Sequence, residues 1–470
     1  MTEDQGQFED NEFLGHSLKK FEEMRRRKTK YFFDVDTLLN LIDHYLEILD
    51  LESAEEVTKY ARSIHPDSIS FLLKEAELFA LNGKKDRALS LLEKVEKVTP
   101  FDPEVFVIKG NIYSILQIFD LAIVSYKKAL SLADEQKDDI YFRIGLAYQS
   151  IGQFNLALDN YKLCLQDNIL NEGCLSELVS CCEFGDLYDK GIELINSIID
   201  EDPYNCIAWY HLGELYTKQG NFLNALKAFE YCLLINDRFA PAYLDMAQVY
   251  LMNDQFEEAI EAYKTAFEYC HPDSYTYYNL GECYEQLKKW DEARDYYQKA
   301  IKSDPFMAQA WYGMGVTYEE EERWYEATYY IKKAIENDDA NGEYWLALGD
   351  CEYQLRNQPE AEDCYKKAIK LDPDNADVWM AYCDLLHDFN MDLKATEIMG
   401  ESISYNPLNA ELHYRQSAYL FLSGKIEDSM IKLENAVQLD YNLHHLLFEI
   451  APMMQNDDRI NWIINTNKKI

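Results

Sequence analysis

Apolar residues recur along most of this chain at intervals of three and four, the spacing of one face of a helix. They come in paired blocks separated by short polar breaks such as Lys218–Gln219–Gly220–Asn221. The pairs are themselves periodic. Cys206–Phe239, Ala240–Asp273, Ser274–Met307 and Ala308–Asn341 align without a gap, which puts Trp209, Tyr243, Tyr277 and Trp311 in one column and Gly213, Ala247, Gly281 and Gly315 in another. Tyr216, Tyr250, Tyr284 and Tyr318 form a third column, and Ala225, Ala259, Ala293 and Ala327 a fourth. A fixed period of this kind decides the architecture before any local motif does. Each 34-residue unit is expected to be two antiparallel helices. Small residues at the eighth and twentieth places let the helices cross, and rings at the eleventh, seventeenth and twenty-fourth places (Tyr284, Trp290 and Tyr297 in one unit) fill the space beside them. One hairpin cannot bury such a face alone. Its neighbour must cover it, which makes the chain a solenoid.

The frame runs on in both directions. Upstream, Val35–Ser68, Ile69–Asp102 and Pro103–Gln136 keep the small and aromatic columns; Lys137 is one inserted residue, and Asp138–Asn171 and Glu172–Asn205 follow. Glu172–Asn205 is the most eroded, with Val179, Cys182 and Gly191 at the eighth, eleventh and twentieth places, and is expected to be a soft point. Downstream come Gly342–Asn375, Ala376–Asn409 and a unit from Ala410 to Leu443. Three regions result: a polar N-terminal segment with a basic helix over 1–34, twelve tandem repeats over 35–443, and a capping helix and tail over 444–470. In the last region His444–Met454 reads as one further apolar helix, with Trp462–Ile463–Ile464 packed beside it. Pro66, Pro100, Pro203, Pro305, Pro373 and Pro407 close their units, because the ring disfavours helical geometry in the residue before it.

Trp209–Leu212–Gly213–Tyr216–Ala225–Phe229 and Tyr277–Leu280–Gly281–Tyr284–Ala293–Tyr297–Ala300–Pro305 resemble the tetratricopeptide repeat. The resemblance implies an all-α fold, a right-handed α–α superhelical solenoid of helical hairpins, which is a scaffold shared by many functions. It also implies that the first helix of each unit lines the concave side, with the second, fifth, sixth, ninth, twelfth and thirteenth places free of packing. On those places stand the candidate groove residues Tyr210, Glu214, Asp245, Tyr278, Asn279, Glu282, Glu285, Tyr312, Glu319, Asp350 and Asp384. Carboxylates interleaved with tyrosines suit an extended or helical peptide bearing Lys or Arg, whose apolar stems the rings would cover. Some members of the family hold a chaperone's C-terminal carboxylate in a clamp of Lys, Asn and Arg. Only Asn279 matches that set by type, which argues against that ligand.

Charge narrows the partner. The chain carries 85 acidic and 45 basic side chains, a formal charge of -40, so neither nucleic acid nor an anionic membrane is expected to bind its body. The exception is His16–Lys30, with Lys19, Lys20, Arg25, Arg26, Arg27, Lys28 and Lys30; it reads either as a recruitment helix or as a leader docked on the chain's own acidic body. No apolar leader opens the chain and no apolar stretch reaches the length of a membrane span, so a cytoplasmic protein without membrane insertion is expected. The eleven cysteines are odd in number and lack CxxC spacing, and Cys164, Cys232 and Cys383 stand where other units put alanine or glycine. They read as buried free thiols in a reducing compartment.

No phosphate-binding glycine loop, HExxH or GxSxG occurs, and neither cofactor nor metal is expected. The run Glu319–Glu320–Glu321–Glu322 points in different directions around a helix and does not build a calcium loop. Only 27 residues follow Leu443, which leaves no room for a catalytic domain after the repeats. The expected function is a non-enzymatic scaffold or adaptor binding a protein or peptide with a basic or aromatic-basic segment. The alternatives are a non-catalytic subunit of an enzyme complex, an enzyme whose site is assembled from scattered acids, and a structural spacer. The less regular end units also leave room for a homodimer through a terminal repeat.

Overall fold

The computed structural model describes residues 3–27, 31–135 and 137–467. Among these, the chain from Val35 to Leu439 forms 24 helices that pair into twelve hairpins, and no strand is present. The chain is an all-α solenoid of helical hairpins. It divides into two compact units, Met1–Ala242 and Tyr243–Ile470, the division falling inside the helix Ala240–Met252.

Short-range chemistry sets where each helix starts and turns. In many units the last residue of the preceding one caps the next first helix. Asn205 Oδ1 accepts from the Ala208 amide at 2.9 Å, Asp273 Oδ1 from Thr276 at 2.8 Å and Asn341 Oδ1 from Glu343 at 2.9 Å. Each such cap is worth about 1 kcal/mol. Every hairpin then reverses through one left-handed residue at its fifteenth place, from Leu49 (φ 56°) to Gly424 (φ 81°). Only four of these twelve residues are glycine; Lys288 (φ 56°) and Arg356 (φ 58°) adopt the same conformation against their preference.

Packing explains the small column. A Cβ built on Gly281 would lie 2.6 Å from Cδ1 of Tyr297, and one on Gly349 would lie 2.6 Å from Cε1 of Tyr365. The glycine is a seat for the twenty-fourth side chain of its own hairpin. The same holds for Gly213 under Phe229 and Gly315 under Ile331, at 2.4 and 2.5 Å. The tryptophan column ties units together through the closing prolines: Trp311 Nε1 donates to Pro305 O at 2.9 Å and Trp379 Nε1 to Pro373 O at 2.9 Å.

In the first unit, the helix Glu3–Arg27 lays Phe21 into a core with Phe33, Leu38, Tyr45 and Ala54, and Arg25 pairs with Glu56 at 2.6 Å. Arg25 is thus paired with an acid of the first hairpin, while Lys19, Lys20 and Arg26 are exposed; the side chains of Arg27, Lys28 and Lys30 lie outside the described residues. In the eroded hairpin the changes compensate one another. Cys182 is fully buried, and a Cβ on Gly191 would meet its Sγ at 2.5 Å, so glycine replaces alanine where cysteine replaces tyrosine.

In the second unit, the segment after Leu439 is broken into short pieces instead of the single helix expected over His444–Met454. These are a 3₁₀ turn Tyr441–His444, the helix His445–Ile450, a second 3₁₀ turn Pro452–Asn456 and the helix Asp458–Thr466. Pro452 ends the middle helix, since it lacks an amide and pushes Ala451 to an extended φ of -128°. Leu447, Met454, Ile460 and Ile463 nonetheless pack on Leu433 and Val437, while Trp462 stays exposed.

Candidate functional site

The site grows out of the packing column. Held over Gly281, the Tyr297 ring is buried, yet its hydroxyl reaches the first-helix face and donates to Glu285 Oε2 at 2.7 Å. Tyr365 over Gly349 does the same for Asp350 Oδ1 at 2.7 Å, and Tyr263 for Gln248 Oε1 at 3.3 Å. In the first unit Tyr126 donates to Asn111 at 2.9 Å and Tyr161 to Gln149 at 2.7 Å. A ring that fills the hairpin core thereby fixes a polar group on the surface of the first helices.

In the second unit this surface holds a cleft of about 320 Å³ lined by Tyr278, Glu282, Glu285, Tyr312, Glu343 and Tyr344, from the helices Ser274–Gln286, Ala308–Glu319 and Gly342–Gln354. The Tyr312 and Tyr344 rings lie 4.7 Å apart, and Tyr312 Oη donates to Glu343 Oε1 at 3.3 Å. Burial pushes the Glu285 carboxyl up to about 7, opposed by the Tyr297 hydrogen bond and aided by Glu282 and Glu320. Burial, then Asp350 and Glu320, push Glu319 up to about 7. Burial raises Asp350 to about 6 against the Tyr365 hydrogen bond, and it raises Glu282 as well. No Lys, Arg or His is among the groups that shift these four carboxyls, which are the kind of perturbed acids that mark functional surfaces.

The other candidate residues are placed differently. Tyr210 and Glu214 belong to the first unit, where Tyr210 packs near Phe229 and Phe239, and Glu214 Oε2 sits 2.5 Å from His211 Nδ1. Asp384 accepts two hydrogen bonds from Arg415 at 2.8 and 3.0 Å and one from Tyr419 at 2.8 Å, so its charge is matched within the chain. Asp245 is half-buried on the helix Ala240–Met252. Asn279 is buried, donating to Gln248 Oε1 at 3.1 Å and Tyr263 Oη at 3.3 Å. Of the acidic run, Glu321 pairs with Arg294 at 2.9 Å, and the Glu319 carboxyl is raised by burial.

Tyr297 and Tyr365, on second helices, were missed by reading first-helix places alone, and Tyr344, at the third place of its first helix, lay outside the places counted as free. A signal existed: units with tyrosine at the twenty-fourth place (Tyr126, Tyr161, Tyr263, Tyr297, Tyr365) carry an acceptor at the ninth or twelfth. Among the described residues no group of three or more His, Cys, Asp or Glu could hold a metal ion, and no helix is long and apolar enough to cross a membrane. All eleven cysteines are free, and nine of them are buried.

Family models of the tetratricopeptide repeat match residues 103–136, 138–166, 207–238, 237–305, 289–342 and 342–375. The chain belongs to the tetratricopeptide-repeat proteins. This tetratricopeptide-repeat chain is 22% identical over 163 residues to Tetratricopeptide repeat protein 16 of Homo sapiens, a match covering 35% of this chain and 16% of that protein. It is 32% identical over 108 residues to Photosystem I assembly protein Ycf3 of Prochlorococcus marinus, covering 22% of this chain and 62% of that one. It thus spans only part of the length of these curated relatives. Among solved structures, YrrB, a TPR protein with an unusual peptide-binding site, is 21% identical with a TM-score of 0.36, covering 42% of this chain and 97% of YrrB. The APC/C hetero-tetramer Cut9–Hcn1 is 14% identical with a TM-score of 0.37, covering 84% of this chain and 96% of that one.

Proposed function

We propose that this protein is a non-enzymatic, cytoplasmic scaffold. Its first-helix face, centred on the cleft at Tyr278, Glu282, Glu285 and Tyr312, takes a peptide or protein segment bearing Lys or Arg beside aromatic residues. The observation that carries this reading is that Glu282 and Glu285 line a cleft walled by Tyr278, Tyr297, Tyr312 and Tyr344, and no cation of the chain's own is among the groups that shift either carboxyl. At other places the chain neutralises such acids itself, as Lys394 does for Glu362 at 2.6 Å and Lys109 for Glu96 at 2.6 Å. At the cleft that role falls to the partner. A guanidinium delivered there meets acids already shielded from water, where each attraction is stronger than on an open surface, and the flanking rings cover its stem. On this reading residues 35–443 form the binding scaffold, 1–34 a docked leader and 444–470 a cap.

The test is affinity capture from native cytosol with the wild type beside a variant carrying Glu214→Lys, Glu282→Lys, Glu285→Lys and Asp350→Lys, matched for helicity by circular dichroism. Charge reversal is expected to abolish capture of a basic partner. Recovery of the same partners by both proteins, at low and at physiological salt, would contradict the proposal.

A further inference from the structure

From Cys206 to Asn409 the fourth place of every unit is a large ring, and in five of these six units the same hairpin lays a tyrosine against it. Ring centroids are 4.6 Å apart for Trp209 and Tyr231, 6.1 Å for Tyr243 and Tyr269, and 6.5 Å for Tyr277 and Tyr296. They are 6.1 Å apart for Trp311 and Tyr330, and 5.8 Å for Trp379 and Tyr405. The covering tyrosines come from the twenty-third, twenty-sixth or thirtieth place. Trp345 is the exception. Its hairpin has Cys364, Lys367 and Leu371 at those places, and Tyr365, the one ring on the helix Gln358–Leu371, is held over Gly349. Where the ring is missing, an open cleft of about 690 Å³ lies beside Trp345, with Lys367, Lys370 and Leu371 on one side and Ile335 and Asp339 on the other. The indole nitrogen already donates to Asp339 O at 3.0 Å, so the cleft offers the face of the ring. Lys367 Nζ stands 3.9 Å from its centroid, and Leu371 is exposed. Among the described residues neither Lys367 nor Lys370 is in an ion pair, and of the two acids on the rim Glu336 is held by Lys333 at 2.5 Å.

We propose that this cleft docks an aromatic side chain of a partner protein that carries a carboxylate beside it. The ring lies on Trp345 as Tyr405 lies on Trp379 in the next hairpin, and Lys367 and Lys370 hold the acid. Five hairpins of the same backbone show that the fourth-place ring accepts a second ring, and only here must that ring come from outside. Tilted and offset ring pairs gain more than their buried area alone supplies. The lysines choose the sign of the neighbour. A carboxylate pairs with Lys367 while leaving it on the indole, whereas an incoming Lys or Arg would be repelled by it. At physiological salt the chain's overall negative charge is screened beyond about 8 Å, so the groups at the cleft decide. The site is built on the helix Gln358–Leu371 and the end of Trp324–Asn337, and it does not depend on what the first-helix face binds. A scaffold with both sites holds two segments of opposite charge.

The experiment is an NMR titration of the full chain, labelled with nitrogen-15 at its seven tryptophan indoles, with the Trp345 signal assigned through Trp345→Phe. The probe is a capped pentapeptide with a central tyrosine between two glutamates and a glycine at each end. The Trp345 signal is expected to shift and saturate. Two variants are then titrated, both changed at exposed positions. Leu371→Tyr supplies the missing ring from within, and Lys367→Glu with Lys370→Glu reverses the charge. Each is expected to weaken binding by about 10-fold or more, as is a probe with alanine in place of its tyrosine. A Trp345 signal that does not move overturns the proposal. Undiminished affinity for Leu371→Tyr, or for the alanine probe, overturns the ring slot. Undiminished affinity for the charge reversal, or equal binding of a probe with arginines in place of the glutamates, overturns the acidic partner.

Discussion

Gly281→Ala adds one methyl group, and the structure says where it goes. The new Cβ would sit 2.6 Å from Cδ1 and 2.7 Å from Cε1 of Tyr297, a ring only 1% exposed. The ring must move, and it cannot move freely, because Ala293, Ala300 and Met314 share its core and a Cβ on Gly313 would already lie 2.6 Å from its far edge. Overpacking of this kind costs about 1–3 kcal/mol. The shift also breaks the hydroxyl's bond to Glu285, about 1 kcal/mol more, while the better helix propensity of alanine returns about 1 kcal/mol. The net expectation is a loss of about 1–3 kcal/mol. Urea unfolding followed by circular dichroism, with hydrogen exchange on the helix Ser274–Gln286 to localise the effect, reads it out. Exposed Glu292→Ala is the control and should cost within about 0.5 kcal/mol. Adding Tyr297→Val should recover part of the loss, since contacting sites are not additive. Identical midpoints for Gly281→Ala and Glu292→Ala would refute the packing register from which the site is built.

Two further outcomes follow from local chemistry. In the folded state Glu285 and Glu319 hold their protons up to about 7 against a reference of 4.5, so the native protein binds more protons than the unfolded one; stability falls as pH rises through that window. Glu285→Gln should therefore stabilise the protein by about 1–3 kcal/mol at pH 8 and hardly at all at pH 4, measured by urea unfolding at each pH. Lys288→Gly relieves a left-handed lysine at φ 56° and should raise stability by roughly 0.5–1 kcal/mol, whereas an unchanged or lower urea midpoint would contradict the strain assigned to the hairpin turns.

The solenoid was legible because its evidence is repeated: Gly213, Gly281 and Gly315 recur in register, and each reports the same close approach. What lies under the glycine was legible only in part. Periodicity marks Tyr297 as a core ring but does not say that its hydroxyl emerges at Glu285, a fact that depends on the ring's direction. The left-handed turns were hidden for a related reason, since glycine advertises them in only four hairpins and Lys288 or Arg356 looks like any surface residue. Among the candidate acids, the sequence could not separate Glu285 from Asp384. Both occupy first-helix places, and only the packing of the next hairpin brings Arg415 within 2.8 Å of Asp384 while no cation reaches Glu285. The broken C-terminal segment turned on a single proline, Pro452, inside an apolar stretch that otherwise reads as helix.

The most direct test of the central claim is a hydrogen–deuterium exchange footprint of the full chain with and without a capped octapeptide of alternating arginine and tyrosine. The helices Ser274–Gln286, Ala308–Glu319 and Gly342–Gln354 are expected to gain protection together, with the second helices Trp290–Ser303 and Trp324–Asn337 unchanged on their outer faces. Protection confined to the outer helices, to the loops between hairpins or to the basic N-terminal helix Glu3–Arg27 would contradict the assignment of the first-helix face as the binding surface.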